Sequence, residues 1–447
     1  MTLVNPDSIK TILTLRYSHS LNSDLANLTW KDFNQKHTET SSSHVANLIQ
    51  NTFEKNENLL KNKPVISLSA GIDSTLILTL LRKNYPDLPL ESISISFPNS
   101  VDESEKAQKI AEKLNVNHNI IHVENFFEHL PEAISIIKQP FWDLHWYEVA
   151  KKSKSLGNIL ISGDGGDELF GGYTFRYQKF LSIISDHSTV SEKINCYLSC
   201  HERDWVIDQE ELFGEKINFS WKEIHSILKP YFDNSLSPLD QVFLADYNGK
   251  LLFNMSPIYK LFHQNLETDY FAPLLSNELT SFAATVPHNL KYDSENNIGK
   301  KPLRKILQDN NMLQYTIKEK QGFSVNTQNL WKSSGKSMFN YFLDNGRVIK
   351  DGWINGNWIK KELMGTELKG KYLGIVGLGN IGKRLGRLAR ALNMNIIGYD
   401  VTEIDEEFSK EVGLMKTDLD TLLASSDYVS LHVPLLDSTK HLINAEK

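Results

Sequence analysis

Between residues 44 and 161, short β-branched runs alternate with longer stretches of helical period, and few folds accept that rhythm. "HVANLIQNTFEKN" reads as a helix, "PVISLS" as a buried strand, "STLILTLLRKN" as a helix and "ESISISF" as a strand. "DESEKAQKIAEKLNV" follows as a helix with Ala107, Ile110, Ala111 and Leu114 on one face, and "HNIIHV" and "NILISG" supply further strands. Strands joined by helices of this length run parallel. The expectation is therefore α/β, with a parallel sheet covered on both faces and ligands beyond the carboxyl ends of its strands.

The rest of the chain divides around this block. Residues 1–43 are polar and irregular, ending in the loop-like "HTETSSSH", and residues 175–345 read as mostly helical with aromatic and proline interruptions. A strand–helix rhythm returns after Gly370 with "KYLGIVG", "IGKRLGRLARALN", "MNIIGYD", "DLDTLLASS" and "DYVSLHVP". At 447 residues the chain exceeds one ordinary core. Three parts are expected: an irregular to helical segment at 1–60, a main α/β domain at 61–355, and a second, partial α/β domain at 356–447.

Bulk charge narrows the partners. A net charge of −7 gives no broad field for nucleic acid or an anionic membrane. The start "MTLVNPDSIKTILTLRY" lacks a basic flank with a long apolar run, and no later stretch reaches about 18 uninterrupted apolar residues. A cytoplasmic location with small-molecule partners is expected. The two cysteines, Cys196 and Cys200, sit beside His201 in "NCYLSCHERD". One short stretch lacks the separated ligand pairs of a metal site, so they read as reduced structural thiols.

Chemistry begins at "ISLSAGIDST", where an apolar run stops at Ser69 and a helix starts after a small-residue turn. Such a turn points backbone N–H groups and a positive helix end at an anion. Ser69 and Ser74 add hydroxyl donors, and Asp73 is placed to hold Mg²⁺ directly or through water. It is not a Walker A loop, since the Gly-Lys-Ser/Thr ending is missing.

A second stretch, "LISGDGGDELFGGYTFRY" at 160–177, places a strand end at Ile161 beside a glycine-rich turn, with acids at Asp167 and Glu168 and a glycine pair at 171 and 172. Together these loops resemble the asparagine synthetase family, whose ATP-pyrophosphatase domain carries Ser-Gly-Gly-x-Asp-Ser and, farther on, Ser-Gly-Glu-Gly-x-Asp-Glu-Leu-Phe-Gly-Gly-Tyr. Downstream, "KKPLRKIL" and "KEKQGFSV" resemble that family's Lys-x-x-Leu-Arg and Lys-x-Gly-Phe elements. The resemblance covers roughly residues 60–355. It implies a PP-loop fold of the adenine nucleotide alpha hydrolase-like type, with a helical C-terminal part. It also implies that Ser69, Gly71, Asp73 and Ser74 hold the pyrophosphate part of ATP and that Ser162 and Gly163 lie by the adenylate. Asp167 would share Mg²⁺ with Asp73, and Lys300, with Lys301 as understudy, would face the phosphates. Glu168 is a candidate for acid–base work, the Mg²⁺ shell or helix capping.

The family pattern is broken in three places. Its glutamine-using members start with a cysteine nucleophile after Met removal, whereas this chain starts Met-Thr-Leu and has no cysteine before Cys196. Ammonia, free or from a separate glutaminase, is therefore the expected nitrogen source. Position 70 is Ala where the family has Gly, which is harmless only if its φ stays negative. The family's Asp-Arg-x-Ser-Met-Ala segment is not recognisable in "NMSPIYKLFHQNL", and its Glu-x-Arg-x-Pro-Phe-Leu-Asp appears only as "ETDYFAPLLS".

The final part carries "GIVGLGNIGKRLGRLARALNMNIIGYD", with Gly377, Gly379 and Gly382 between a strand and a helix and Asp400 at the end of the next strand. Glycine spacing, flanking elements and trailing acid together form a dinucleotide fingerprint, with Asp400 on the adenosine ribose of NAD. The stretch from about 356 to 447 resembles D-2-hydroxyacid dehydrogenases of the phosphoglycerate dehydrogenase kind. Relatives supply catalytic Arg, Glu and His from later segments, so a truncated NAD-binding remnant with an unpaired edge strand is expected, and hydride transfer is not. The reading of the whole is an ATP-dependent, AMP-forming amide ligase that activates a carboxylate, the aspartate side chain, for attack by ammonia. Its rival is a nucleotide-binding scaffold without turnover.

Overall fold

The computed structural model describes residues 5–19, 21–34, 42–97, 103–125, 127–139, 144–201, 208–317, 335–357 and 368–444. The chain forms two compact units, Met1–Gly356 and Asn357–Lys447. Each is an α/β unit built on a parallel sheet.

In the first unit, β1 (Pro64–Ser67), β2 (Glu91–Ser96), β3 (Asn117–His122), β4 (Ile159–Ile161) and β5 (Asp269–Phe271) lie in the order β3-β2-β1-β4-β5. Side chains on a strand alternate between faces, and here the alternation feeds two cores. Ile66, Ile159 and Ile161 join Phe53, Leu76, Ile77 and Ile110 on one side. Val65 and Leu160 join Leu144, Tyr147 and Phe262 on the other. This explains why β1 and β4 read as continuous apolar runs: both of their faces are dry.

The fifth strand is the element that the helical reading of residues 175–345 passes over. Only three residues long, it pairs Tyr270 with Leu160 and Phe271 with Ile161. The sequence after β4 is otherwise helical, and one helical stretch is unusual. Tyr247–Met255 is a π-helix, continued by the helix Ser256–Leu266.

That π-helix also explains residues 5–34. Part of the N-terminal segment expected to be irregular to helical is a regular helix: Asn5 caps Pro6–Leu15 by accepting from Asp7 and Ser8, and the segment beyond is held by named partners. Asn248 accepts from the Leu28 N–H at 3.1 Å and donates to the Leu28 carbonyl at 2.6 Å, while the Tyr247 hydroxyl donates to the Ala26 carbonyl. Tyr17 stacks on Phe253. The local cap thus starts the helix, while Tyr17, Ala26 and Leu28 are held by side chains far along the sequence.

The second unit contains β6 (Tyr372–Val376), β7 (Asn395–Tyr399), β8 (Met415–Lys416) and β9 (Tyr428–Leu431), in the order β8-β7-β6-β9. Leu373, Ile375, Ile396 and Phe408 fill one side, and Val376, Ile397, Leu419 and Leu422 the other. On the outer strand β9, Tyr428, Val429 and Leu431 are exposed. Among the described residues, no helix is long and apolar enough to cross a membrane.

One buried histidine gives the fold a pH dependence. His263 lies 2.8 Å from the Thr268 hydroxyl and stacks on Tyr270 with ring centroids 5.2 Å apart, and burial lowers its pKa to about 4. The native state holds the neutral ring, so its contribution is complete above the unfolded value of 6.5 and is lost as pH falls toward 4. Urea unfolding is expected to show a loss of about 3 kcal/mol from this group between pH 7 and pH 4. The same series on His263→Gln should lack that part of the slope.

Candidate functional site

Strand order in the first sheet reverses between β1 and β4, and a parallel sheet opens a crevice at such a point. The two loops singled out from the sequence leave these two strands. In the first, the Ser74 hydroxyl donates to the Ser69 carbonyl at 3.1 Å, and the Ser69 N–H donates back to the Ser74 oxygen at 3.1 Å. The Gly71 N–H donates to the Ser69 hydroxyl at 3.1 Å, and Gly71 caps the helix Ile72–Asn84. Ser69 is exposed while Ser74 is buried, so the turn presents one hydroxyl outward and braces it with the other. Ala70 is not among the positive-φ residues, and its carbonyl accepts from the Ile317 N–H. Backbone strain therefore gives no objection to alanine at this position.

The second loop touches the first. A Cβ on Gly163 would stand 2.7 Å from the Ser74 nitrogen, and one on Gly166 would overlap the Asp73 carboxylate. Gly165 and Gly171 adopt φ of +93° and +76°, conformations that L side chains resist. Glycine is thus required here by contact and by conformation, and the result is that Asp73 and Asp167 converge.

What they converge on is Lys300. Its ammonium bonds the Asp167 carboxylate at 2.7 Å and the Asp73 carboxylate as well. Side-chain exposures of 8% for Lys300, 16% for Asp73 and 18% for Asp167 make this a buried charge cluster. Burial alone would lower the lysine pKa, but Asp167 and Asp73 overcome it and raise the value, so the group is an ammonium throughout the neutral range. Lys301 points elsewhere, donating to the Asn289 carbonyl. Arg304 donates through Nε to the Gly299 carbonyl and feels the Asp73 charge.

Other positions fall around this centre. Ser162 is buried and donates to Asp164 at 2.7 Å, and the Tyr270 hydroxyl donates to the same carboxylate oxygen at 2.6 Å. Burial, with Asp164 beside it, raises the Tyr270 pKa well above the phenolic range. Glu168 is buried and accepts from the Tyr173 hydroxyl. The Arg176 guanidinium covers the Tyr173 ring at 3.7 Å and pairs with Asp246 at 3.1 Å. Asp164, Tyr270, Arg176 and Arg304 are the neighbours that sequence reasoning did not single out. Asp164 lay inside the quoted glycine-rich motif, whereas Tyr270 gave no signal before β5 was known. The "KEKQGFSV" element lies outside the described residues.

Two carboxylates that already share one cation fit a hard divalent ion. Among the described residues, no three His, Cys, Asp or Glu side chains form a metal cage. Mg²⁺ is typically held by one or two carboxylates and completed by water and phosphate, so the donor set suits Mg²⁺ delivered with a nucleotide. The cysteines are free thiols, and burial raises both pKa values, Cys200 to about 12.

In the second unit, Gly377 has a φ of +95° and a Cβ on Gly382 would overlap the Gly377 carbonyl. Gly379 faces open space and caps the helix Asn380–Ala391. Asp400 accepts from the Leu378 N–H at 2.6 Å and from the Thr402 N–H and hydroxyl at 2.8 Å each. Burial opposes its ionisation, but these donors hold its pKa below the usual carboxylate range.

Comparison with known proteins finds two families, whose matches overlap at residues 343–373. A family model described as asparagine synthase matches residues 59–373, and one described as the NAD binding domain of D-isomer specific 2-hydroxyacid dehydrogenases matches residues 343–447. Curated relatives include a hydroxypyruvate reductase of Thermotoga maritima, 48% identical over 20% of this chain and 28% of that protein. A D-3-phosphoglycerate dehydrogenase of Archaeoglobus fulgidus is 42% identical over 22% of this chain and 18% of its own length. Among solved structures, D-mandelate dehydrogenase of Rhodotorula graminis is 37% identical over 20% of this chain and 27% of that one, with a TM-score of 0.19. The chain spans less than a third of the length of each of these relatives.

Gly172 tests the packing of the site directly, because an added Cβ would collide with the Asp167 carboxylate and the Lys300 stem. Gly172→Ala is expected to lower stability by about 1–3 kcal/mol. Denaturant unfolding measures this.

Proposed function

We propose, from the premise that this chain belongs to the asparagine synthase family, that its first unit is an ATP-dependent ligase of the PP-loop kind that forms an amide through an acyl-adenylate. One observation carries the reading: the loops after β1 and β4 bring Asp73, Asp167 and Lys300 to a single charged centre at the sheet's reversal point.

The chemistry asks for such a centre. A carboxylate is a poor acyl donor at neutral pH. In the proposed reaction its oxygen attacks the α-phosphorus of ATP, the bond from that phosphorus to the bridging oxygen breaks, and pyrophosphate leaves. Ammonia then attacks the acyl carbon, AMP departs, and the nitrogen gives up a proton. The aspartate side chain is the proposed carboxylate, and the product is then asparagine.

The residues divide the work. Backbone N–H groups and hydroxyls of residues 69–74 hold the pyrophosphate end against the positive end of the helix Ile72–Asn84. Lys300 and Arg304 supply the positive charge for the leaving group. Ser162 and Gly163 border the adenylate. Glu168, fixed by Tyr173, positions the second loop. Asp73 and Asp167 are the residues that would hold Mg²⁺, which when bound offsets phosphate charge as a Lewis acid. The proposed nitrogen source is ammonia, free or from a separate glutaminase.

For the second unit we propose NAD binding, with the pyrophosphate at Gly377, Gly379 and Gly382 and the adenosine ribose toward Asp400. The single-sided glycine turn and the low carboxylate pKa support it.

Two measurements check these readings. Isotope exchange between pyrophosphate and ATP should appear with aspartate, vanish in Asp73→Ala, and fall about 10²–10³-fold in Lys300→Met. ATP binding without exchange for any carboxylate would favour a nucleotide-binding scaffold instead. Fluorescence titration should show NADH binding that weakens about tenfold in Asp400→Ala, as loss of the Leu378 anchor frees the glycine turn.

A further inference from the structure

We propose that Lys300 is a displaceable occupant of the divalent-cation position: without nucleotide its ammonium ties Asp73 to Asp167, and an arriving metal–nucleotide complex moves it onto the phosphates. The identity of the incoming ligand rests on the adenylation reading above; the competition between ammonium and metal does not.

The geometry sets the competition. Both carboxylates bond one nitrogen, and a divalent ion that uses the same two groups cannot share that point with an ammonium. Two carboxylates and one ammonium leave these three groups one unit negative, with the Arg304 guanidinium acting on Asp73 beside them. A divalent ion in place of the ammonium neutralises it, but the displaced lysine then needs a new anion, because it starts from a buried position. The metal alone brings none. A polyphosphate seated on residues 69–74 brings several.

The surrounding chain favours a motion confined to the side chain. Lys300 sits at φ +58°, a left-handed conformation, and its main chain is pinned by its N–H on the Phe170 carbonyl and its carbonyl under the Arg304 N–H, each at 2.9 Å. The backbone is fixed, and the flexible four-carbon stem is the movable part. Gly172 lies against the Cε of that stem, and a Cβ there would crowd it. Metal and nucleotide therefore bind with positive coupling, and the coupling is reciprocal.

Manganese binding to the full-length protein, read by electron paramagnetic resonance without nucleotide, tests the idea. Lys300→Met is expected to bind Mn²⁺ at least about tenfold more tightly than the wild type, and Asp73→Asn to abolish that gain. Equal or weaker binding by Lys300→Met with a native circular dichroism spectrum would overturn the proposal. So would tight Mn²⁺ binding by the wild type alone that Asp73→Asn removes, a result that stands even if Lys300→Met fails to fold. The wild type is then titrated with Mn²⁺ and α,β-methylene-ATP, which resists cleavage at the relevant bond. Failure of that pair to bind counts against the adenylation reading, while the nucleotide-free comparison still decides the fate of the lysine.

Discussion

The ion cluster of Lys300 with Asp73 and Asp167 is the interaction around which the first unit is arranged. Two like charges brought together in a buried place repel, and they stay together only if a cation compensates them. Each member arrives by a different route: Asp73 after β1, Asp167 after β4, Lys300 at the start of the helix Lys301–Asp309. Glycines at 163, 166 and 172 then let three backbones approach to side-chain distance. The buried charge cluster thus joins the loops after β1 and β4 to the start of the helix Lys301–Asp309.

Much of this was legible from the chain. Alternation of strand and helix patterns gave the parallel sheet because β1 and β4 are dry on both faces, which leaves an unbroken apolar run in each. Polar residues that share a site reveal themselves when their loops carry glycines at contact points, as Asp73 and Asp167 do. The failures have a common cause. Tyr270 and residues 5–34 take their structure from partners distant in sequence, Leu160 for the one and Asn248 for the other, and local pattern carries no trace of such partners. Ala70 shows the converse: the sequence posed a question about φ that only the backbone answers.

The two units use glycine turns after a parallel strand in different ways. In the first, the turn is built on hydroxyls, and Lys300 on Asp73, with Arg304 nearby, adds side-chain positive charge to that of the helix Ile72–Asn84. In the second, Asp400 reaches back to the Leu378 N–H and fixes the turn from the next strand, which leaves the helix end as its positive element.

The three-residue strand β5 sets the order in which the first unit can assemble. Tyr270 meets Ser162 across 108 positions of chain, and Lys300 meets Asp73 across 227. Closing loops of that length is entropically costly, and contacts of high sequence separation are slow to form. As the chain emerges from a ribosome, β1 to β4 are complete long before either partner exists. Until then Asp73 and Asp167 lack the cation that compensates them. The site therefore depends on contacts of high sequence separation, which local structure alone cannot form.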